Sequence, residues 1–514
     1  VRTSRAWWAL SGLVAGLLGL ATSYAAAALL HVREAPVVAV AEGITALTPG
    51  SVVKWAINTF DRDDKKILVL GILFFLAVAF ALLGRLARRR WWLAVTGYVA
   101  LAVVAVVAVA TKPTPSPIDF VPIVVGLLVW VVTLAVLAEW LRGWEVVEDE
   151  GDEDPGTEPA HTRRHFFVAI GGAAALAAAA GLVGRIAGNA RRRAEESRRL
   201  LRIEGVTAPA VPAGVGVGVD GVVPWQTPNE DFYLIDTAFI KPTIAPADWQ
   251  LRIHGMVERE ITLTYRDLLD RELTQDWITL NCVSNPVGGN LVGNAWWSGV
   301  RLAALLAEAG PAQGADAVLQ TSEDGWTCGT PLAALMDERN AMLAVAMNGE
   351  PLPIEHGFPV RTIVPGLYGY VSATKWVVDL EVTTFDDITA YWTDKGWAEQ
   401  GPVKIASRID VPRNNAEVPA GEVVCAGSAW LQHTGISRVQ VQVDGGGWED
   451  AELASTPNVD TWVQWRASVR LEEGDHQIRV RAVDNDGSTQ TGVVADVLPD
   501  GATGWHTVSV SAKA

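Results

Sequence analysis

Five stretches of this chain carry no aspartate, glutamate, lysine or arginine: Trp7–Leu30, Ile67–Gly84, Trp91–Thr111, Phe120–Ala138 and Phe166–Gly184. Each approaches the ~20 apolar residues with which a helix crosses a hydrocarbon core of ~30 Å. They are expected to be five transmembrane helices. Pro36–Val53 is also apolar, but Pro36, Glu42 and Pro49 interrupt it, and an interfacial or re-entrant piece is expected there. Val1 stands where Met is expected, as an alternative start codon or a trimmed end would leave it.

Basic residues in short loops set orientation. Arg2 and Arg5 precede the first span, and Arg85, Arg88, Arg89 and Arg90 separate the second from the third. Both groups lie in the cytoplasm if the N-terminus does, and five crossings then carry everything after Gly184 outside. A cluster running from Arg185 through Arg191, Arg192 and Arg193 to Arg202 opposes this placement, although the rule weakens for large translocated domains. Thr162-Arg163-Arg164-His165-Phe166-Phe167, ahead of an Ala/Gly-rich helix, resembles a twin-arginine export signal set inside the chain. Between Arg142 and Arg163, Glu145–Glu158 holds eight acids, nearly half of the net charge of −17, and reads as a solvated, disordered linker. No histidine lies inside a span, so paired histidine ligands for a membrane haem are not expected.

The membrane spans account for the mean hydropathy of +0.21, and the rest is unlike them. Thr207–Val223 is rich in Pro, Gly and Val and reads as a linker, with 188–223 joining the membrane part, 1–187, to the domains beyond it. The stretch from about Pro224 to the end is long enough for two domains. Trp277–Leu280 reads as a strand that delivers Cys282 to a loop containing Gly288, Gly289 and Gly293, which allow positive φ and close approach to a ligand. A cysteine in such a place is by default a buried small hydrophobe. The polarity of the loop argues instead for holding a cofactor. Cys328 and Cys425 could pair outside the cell, and no iron–sulfur or Cys-x-x-Cys-His spacing occurs. After Gly401, short alternating strands such as Arg438–Val443 and His476–Val483, separated by Asp/Gly turns, predict a β-sandwich of immunoglobulin type.

Residues 278–301 resemble the molybdenum-binding loop of the sulfite oxidase family of molybdopterin enzymes. A second match spans Met347–Tyr370 and ends in Ala373-Thr-Lys-Trp376, and Asn229-Glu-Asp-Phe-Tyr233 resembles the opening of the family's catalytic domain. The resemblance implies a multi-domain chain. After the expected transmembrane α-helices (about five), which lie outside the resemblance, come an α+β molybdopterin domain over 224–400 and an immunoglobulin-like dimerisation domain over 401–514. The resemblance also implies Cys282 as the thiolate ligand of molybdenum, a soft donor for a soft centre. Asn229, Phe232, Tyr233, Asp324, His356, Arg361 and Lys375 are then expected around the pterin, Arg361 and Lys375 as charge-assisted donors to its phosphate.

This chain departs from the family where arginines surround an anionic substrate. Those positions are Leu234-Ile235, Pro286-Val287 and Trp296, and an active-site tyrosine aligns with Trp397. A sulfite dianion would lack partners to offset its desolvation. The expected activity is oxygen-atom transfer by a membrane-tethered, extracytoplasmic molybdopterin oxidoreductase. A reductase of sulfoxides, such as methionine sulfoxide, is the alternative enzyme, and a cofactor-free binding module the alternative of another class. The expected partners are the membrane, an electron carrier (a cytochrome or quinone), a small-molecule or sulfoxide substrate, and a second copy through 401–514. Neither nucleic acid, haem nor an iron–sulfur cluster is expected.

Overall fold

In a computed structural model of the chain, residues 5–30, 32, 35–48, 52, 59, 64–111, 116–149, 158–187, 190–238 and 241–514 are described. The chain divides into two units, Val1–Arg191 and Arg192–Ala514.

The first unit is helical: α1 Arg5–Leu29, α2 Pro36–Leu47, α3 Asp64–Ala87, α4 Trp91–Ala110, α5 Val121–Asp149 and α6 Glu158–Ala187. All but α2 are long and apolar enough to cross a membrane. α1 packs against α3, α5 and α6 through small residues. A Cβ on Gly12 would lie 2.2 Å from the Phe80 carbonyl oxygen, one on Gly16 2.1 Å from the Phe80 ring, and one on Gly19 2.1 Å from the Trp130 ring. Backbones this close make extensive van der Waals contact, the kind of packing by which helices of small residues associate. The bared α1 carbonyls accept hydrogen bonds, Gly16 O from Trp130 Nε1 at 2.9 Å and Gly12 O from the Tyr98 hydroxyl at 3.3 Å.

Two details differ from expectation. Pro36 opens α2 rather than interrupting it, because the first turn of a helix needs no N–H there; Pro49 and Val53 lie outside the described residues. The acidic stretch begins as helix, since α5 runs on to Asp149 and adding a residue to a formed helix supplies a hydrogen bond. Residues 150–157 lie outside the described residues.

The second unit begins within α7, Ala190–Leu200, whose Ala194 is buried with Phe232, Ile278 and Trp297 and whose Arg198 donates to the Pro351 carbonyl at 3.2 Å. Residues 207–223, expected as a linker, form instead a strap on the unit's surface. Thr207 N donates to Gln275 Oε1 at 2.8 Å, Val217 N to Gln464 Oε1 at 3.2 Å and Val223 N to Asp410 Oδ2 at 3.4 Å; Val215 and Val217 are buried. Side chains far along the sequence supply the partners that an extended backbone needs.

Strands between Gln250 and Thr383 form two sheets. The first has the order β2 (Ile261–Thr264), β1 (Gln250–Gly255), β10 (Val377–Thr383), β5 (Ala317–Ser322) and β6 (Thr327–Pro331), with β1 and β10 parallel. The second runs β3 (Leu273–Asn281), β4 (Val292–Arg301), β7 (Met342–Met347) and β8 (Glu350–Pro351), with β9 (Arg361–Ile363) also on β7. Short helices α8 (Tyr265–Leu269), α9 (Leu302–Ala309) and α10 (Leu332–Met336) fill the connections.

The C-terminal region is rich in β-sheet. Its four-stranded sheet runs β11 (Ala406–Val411), β13 (Gly421–Trp430), β17 (Val463–Leu471), β16 (Glu452–Leu453). Its five-stranded sheet runs β12 (Ala416–Pro419), β19 (His506–Lys513), β18 (Gly474–Asp484), β14 (Ile436–Val443), β15 (Glu449–Asp450). Apolar residues alternating along both, among them Val439, Val441, Trp465, Ile478 and Val510, make one shared core. Cys328 and Cys425 are free and buried, so the disulfide open to them in the sequence is not formed.

This region also covers a sheet edge. β3 is the edge strand of its sheet. Thr279 N donates to the Asp460 carbonyl at 2.9 Å, Gln432 Nε2 to the Thr279 carbonyl at 2.8 Å, and Trp462 N to Thr279 Oγ1 at 2.8 Å. Trp225 and Trp462 exchange indole bonds to each other's carbonyls at 3.2 and 2.9 Å.

Candidate active site

β3 ends at Asn281, paired to Val292 of β4, so the residues between them form the loop of an antiparallel pair. Cys282 N donates to the Leu291 carbonyl at 2.9 Å, and Asn285 N returns to the Cys282 carbonyl at 3.1 Å. Asn285 Oδ1 accepts from Leu291 N at 2.9 Å. The three glycines have separate uses. Gly288 alone of them has positive φ, +76°. A Cβ on Gly289 would lie 2.4 Å from Asn285 Oδ1, and one on Gly293 2.7 Å from the Phe232 ring. Gly293 is thus an ordinary strand position left bare to seat an aromatic ring.

Cys282 opens onto a cavity between the two sheets' loops and the stacked aromatic pair. Phe232, Tyr233, Asp324, Arg361 and Lys375 line it with Cys282. Phe232 and Tyr233 stack with centroids 5.2 Å apart, and Phe232 meets Trp297 and His356 edge-on at 5.7 Å each. Asp324 Oδ1 accepts from Trp326 N at 3.3 Å. Asn229 and His356 do not line the cavity. They stand behind the aromatic pair, His356 Nε2 lying 2.9 Å from the Asn229 carbonyl, and Asn348 Nδ2 donates to Asn229 Oδ1 at 2.8 Å.

The charges here are buried. Arg361, only 4% exposed, donates to the carbonyls of His356 and Ala373 at 3.2 and 3.4 Å and lies 5.3 Å from the Trp297 ring. Lys375 Nζ is 3.0 Å from Asp236 Oδ2, and Lys241 binds the same carboxylate. Burial pulls Arg361 down to about 10 and Lys375 down to about 8, the Asp236 carboxylate opposing the latter. Burial, then the Lys375 and Arg361 charges, pull His356 down to about 3. Burial raises the Cys282 thiol, against hydrogen bonds from Ser284 and the Lys375 charge. Arg361 Nε and His356 Nδ1 are buried with no hydrogen-bond partner among the described residues. Buried cations weakened by desolvation, with a donor unused, are what an anionic ligand would complete.

Sequence reasoning missed Asp236, Ser284, Ser322, Trp326 and Trp392, all on the cavity. Asp236 carried a signal, a single acid within Tyr-Leu-Ile-Asp-Thr-Ala-Phe. Of the positions where arginines were expected, Ile235 lines this cavity, and so does Trp397 at the tyrosine position. Pro286 and Val287 line a separate recess with Trp430 and Gln490, and Trp296 packs on Trp277 at 5.3 Å.

Residues 238–392 match the oxidoreductase molybdopterin binding domain. Mouse mitochondrial sulfite oxidase is 29% identical over 320 residues, 53% of this chain and 58% of that protein. The uncharacterized oxidoreductase YuiH of Bacillus subtilis is 31% identical over 180 residues, 35% of this chain and 87% of that protein. The chain belongs to the sulfite oxidase family of molybdopterin oxidoreductases. Like others of the sulfite oxidase family, it is a molybdenum-cofactor oxidoreductase, and the domain match covers Cys282, Arg361 and Lys375 together. The chain spans little more than half the length of the mouse sulfite oxidase it matches. Among solved structures, the sulfane dehydrogenase SoxCD of Paracoccus pantotrophus is 25% identical, with a TM-score of 0.46, over 53% of this chain and 75% of that one.

Proposed function

We propose that this chain is a membrane-anchored, extracytoplasmic oxidoreductase that transfers oxygen atoms, with Cys282 as the protein's ligand to molybdenum. The observation that carries this reading is the meeting of Cys282, Arg361 and Lys375 on one cavity, with Arg361 Nε buried and unpartnered among the described residues.

The cofactor, when bound, supplies the two-electron chemistry of oxygen-atom transfer. The protein's part is to bind, orient and exclude water. Burial raises the pKa of the Cys282 thiol, and a metal bound there would have to displace its proton. Arg361 offers a planar fork and Lys375 a point charge to the pterin phosphate. The stacked Phe232 and Tyr233 give the pterin an apolar wall, and Asn229 and His356 hold that wall from behind. Asp324 supplies an acceptor at the cavity wall.

Five apolar helices, the charge bias of the first four and the Arg163-Arg164 pair support a multi-pass anchor with the catalytic part outside. The two sheets of 401–514, sharing one core, suit an immunoglobulin-like sandwich, and its resemblance to the family's dimerisation domain supports a homodimer through it. Electrons are passed to or from a cytochrome or quinone carrier.

One observation favours a sulfoxide over sulfite. Among the described residues lining the cavity, Arg361 and Lys375 are the two cations, and both are committed to the pterin in this reading. Trp326, Tyr370, Trp392 and Trp397 give the rest of the cavity an aromatic wall suited to an uncharged substrate.

Metal and pterin analysis of the purified chain tests the reading. Stoichiometric molybdenum is expected. In Cys282→Ser the pterin is retained and turnover is lost, since a hydroxyl is a harder and less acidic ligand. Full activity of that variant would remove Cys282 from the metal, and absence of molybdenum from the parent would favour a binding module. Sulfite oxidation and sulfoxide reduction assays then separate the two enzymes.

A further inference from the structure

The loop that carries Cys282 is closed by its own hydrogen bonds. Besides those of Cys282, Asn285 and Leu291 already described, Gly289 N donates to the Pro286 carbonyl at 2.9 Å. All of them run between residues 282 and 291, so they shape the loop without fixing where its tip stands. That falls to the C-terminal region. Arg408 of β11 donates from Nη1 to the Gly289 carbonyl at 2.8 Å. Among the described residues, it is the one side chain from outside the loop that hydrogen-bonds to 282–291.

Arg408 is itself held. Asp410 lies two residues further along the strand, so both side chains leave from one face, and Arg408 Nε donates to Asp410 Oδ1 at 2.7 Å. Asp410 Oδ2 accepts from Val223 N of the strap at 3.4 Å. The two side chains are only 7% and 8% exposed. Desolvation offsets much of what such a pair contributes to stability, so its use is sought in the geometry it fixes. A planar guanidinium fork lets one cation hold a carboxylate and a carbonyl together.

From Gly289 the constraint reaches the sulfur in few steps. Gly289 is bonded to Pro286 and pressed against Asn285, and Asn285 is bonded to Cys282. The His506 ring, from β19, closes on Gly288 beside it. Groups beyond a metal's ligands fix the ligands' orientation.

We propose that Arg408 is a positioning residue for the Cys282 sulfur, pinning the Gly289 carbonyl so that the loop presents its thiolate to molybdenum in one geometry. The C-terminal region thereby shapes the metal site without lining the cavity. This rests on the reading of Cys282 as the molybdenum ligand.

Removing the guanidinium alone would strand the Asp410 carboxylate, so Arg408→Met is combined with Asp410→Asn. Arg408→Lys keeps the charge without the fork. Amide hydrogen exchange of the full chain is followed over 282–291 and, as a control within the C-terminal region, over Ile436–Val443 of β14. The double variant should exchange its loop amides about tenfold faster, the scale of one charge-assisted hydrogen bond, with β14 as in the parent. Arg408→Lys should fall between the two. In the cofactor-loaded chain, the double variant should show a shifted sulfur-to-metal absorption band or less bound molybdenum. Parent-like loop exchange would overturn the proposal, in the double variant or, if that does not fold, in Arg408→Lys. So would equally faster exchange in β14, or a parent-like band and molybdenum content beside a loosened loop. If the band survives in Cys282→Ala, the ligand reading itself fails and the proposal with it.

Discussion

Gly288 of the cysteine loop is pressed against the imidazole of His506 on β19, where a Cβ would meet the ring at 2.2 Å. Gly288 also has φ +76°, so any side chain there is strained as well as blocked. Gly288→Ala should cost ~1–3 kcal/mol from the backbone alone. The expected result is a lower unfolding temperature together with reduced molybdenum content, read by thermal denaturation and metal analysis of the same preparation.

His506 makes that contact sensitive to acid. Its Nδ1 accepts from Ile409 N at 2.9 Å, and burial, with the Arg408 charge, pulls it down to about 4. An unfolded chain takes up this proton near pH 6.5, and the folded chain resists until about 4. The neutral ring's stabilisation is therefore complete above 6.5 and is lost as pH falls through 4. Replacing it should flatten the fall in stability across that window by up to one proton, ~1.4 kcal/mol per pH unit. Unfolding midpoints of His506→Asn and the parent between those pH values check this.

Arg361→Ala should lower cofactor occupancy. A buried phosphate would lose charge-assisted hydrogen bonds of ~1.5–3 kcal/mol each, about ten- to a hundredfold in affinity per bond. Arg361→Lys should recover little of it, since a point charge cannot replace a planar fork. Pterin released per mole of purified protein distinguishes the three. Parent-like occupancy in Arg361→Ala would dissociate this residue from the phosphate.

The export reading has its own test. Replacing Arg163 and Arg164 with Lys should leave the first four long helices inserted and hold the catalytic unit in the cytoplasm. Protease added to intact spheroplasts should then cut the parent's catalytic unit and spare the double variant. Protection of both would place the unit inside.

The long helices and the cysteine loop were legible because local chemistry decides them. A run without charges has few fates in lipid, and Cys282 sits where an apolar strand meets Gly and Asn. The strap was not legible. Its Pro/Gly/Val composition is that of a linker, and only side chains such as Gln275 and Gln464, remote in sequence, make it part of the fold. Asp236 was missed because its two lysine partners declare themselves only in three dimensions. The loop glycines were grouped under one purpose, whereas Gly288, Gly289 and Gly293 each avoid a different neighbour.

The strand that carries Cys282 is an edge strand, and its outer side is hydrogen-bonded to Gln432, Asp460 and Trp462. Loss of the Gln432 side chain, or displacement of the backbone at Asp460 and Trp462, would loosen the strand whose last residue precedes the cysteine. Such lesions would masquerade as active-site nulls, arriving at the bench as empty enzyme rather than as misfolded C-termini. Anyone ranking variants of this chain by distance along the sequence from Cys282 would overlook them, and residue 401 is a poor place to cut it in two.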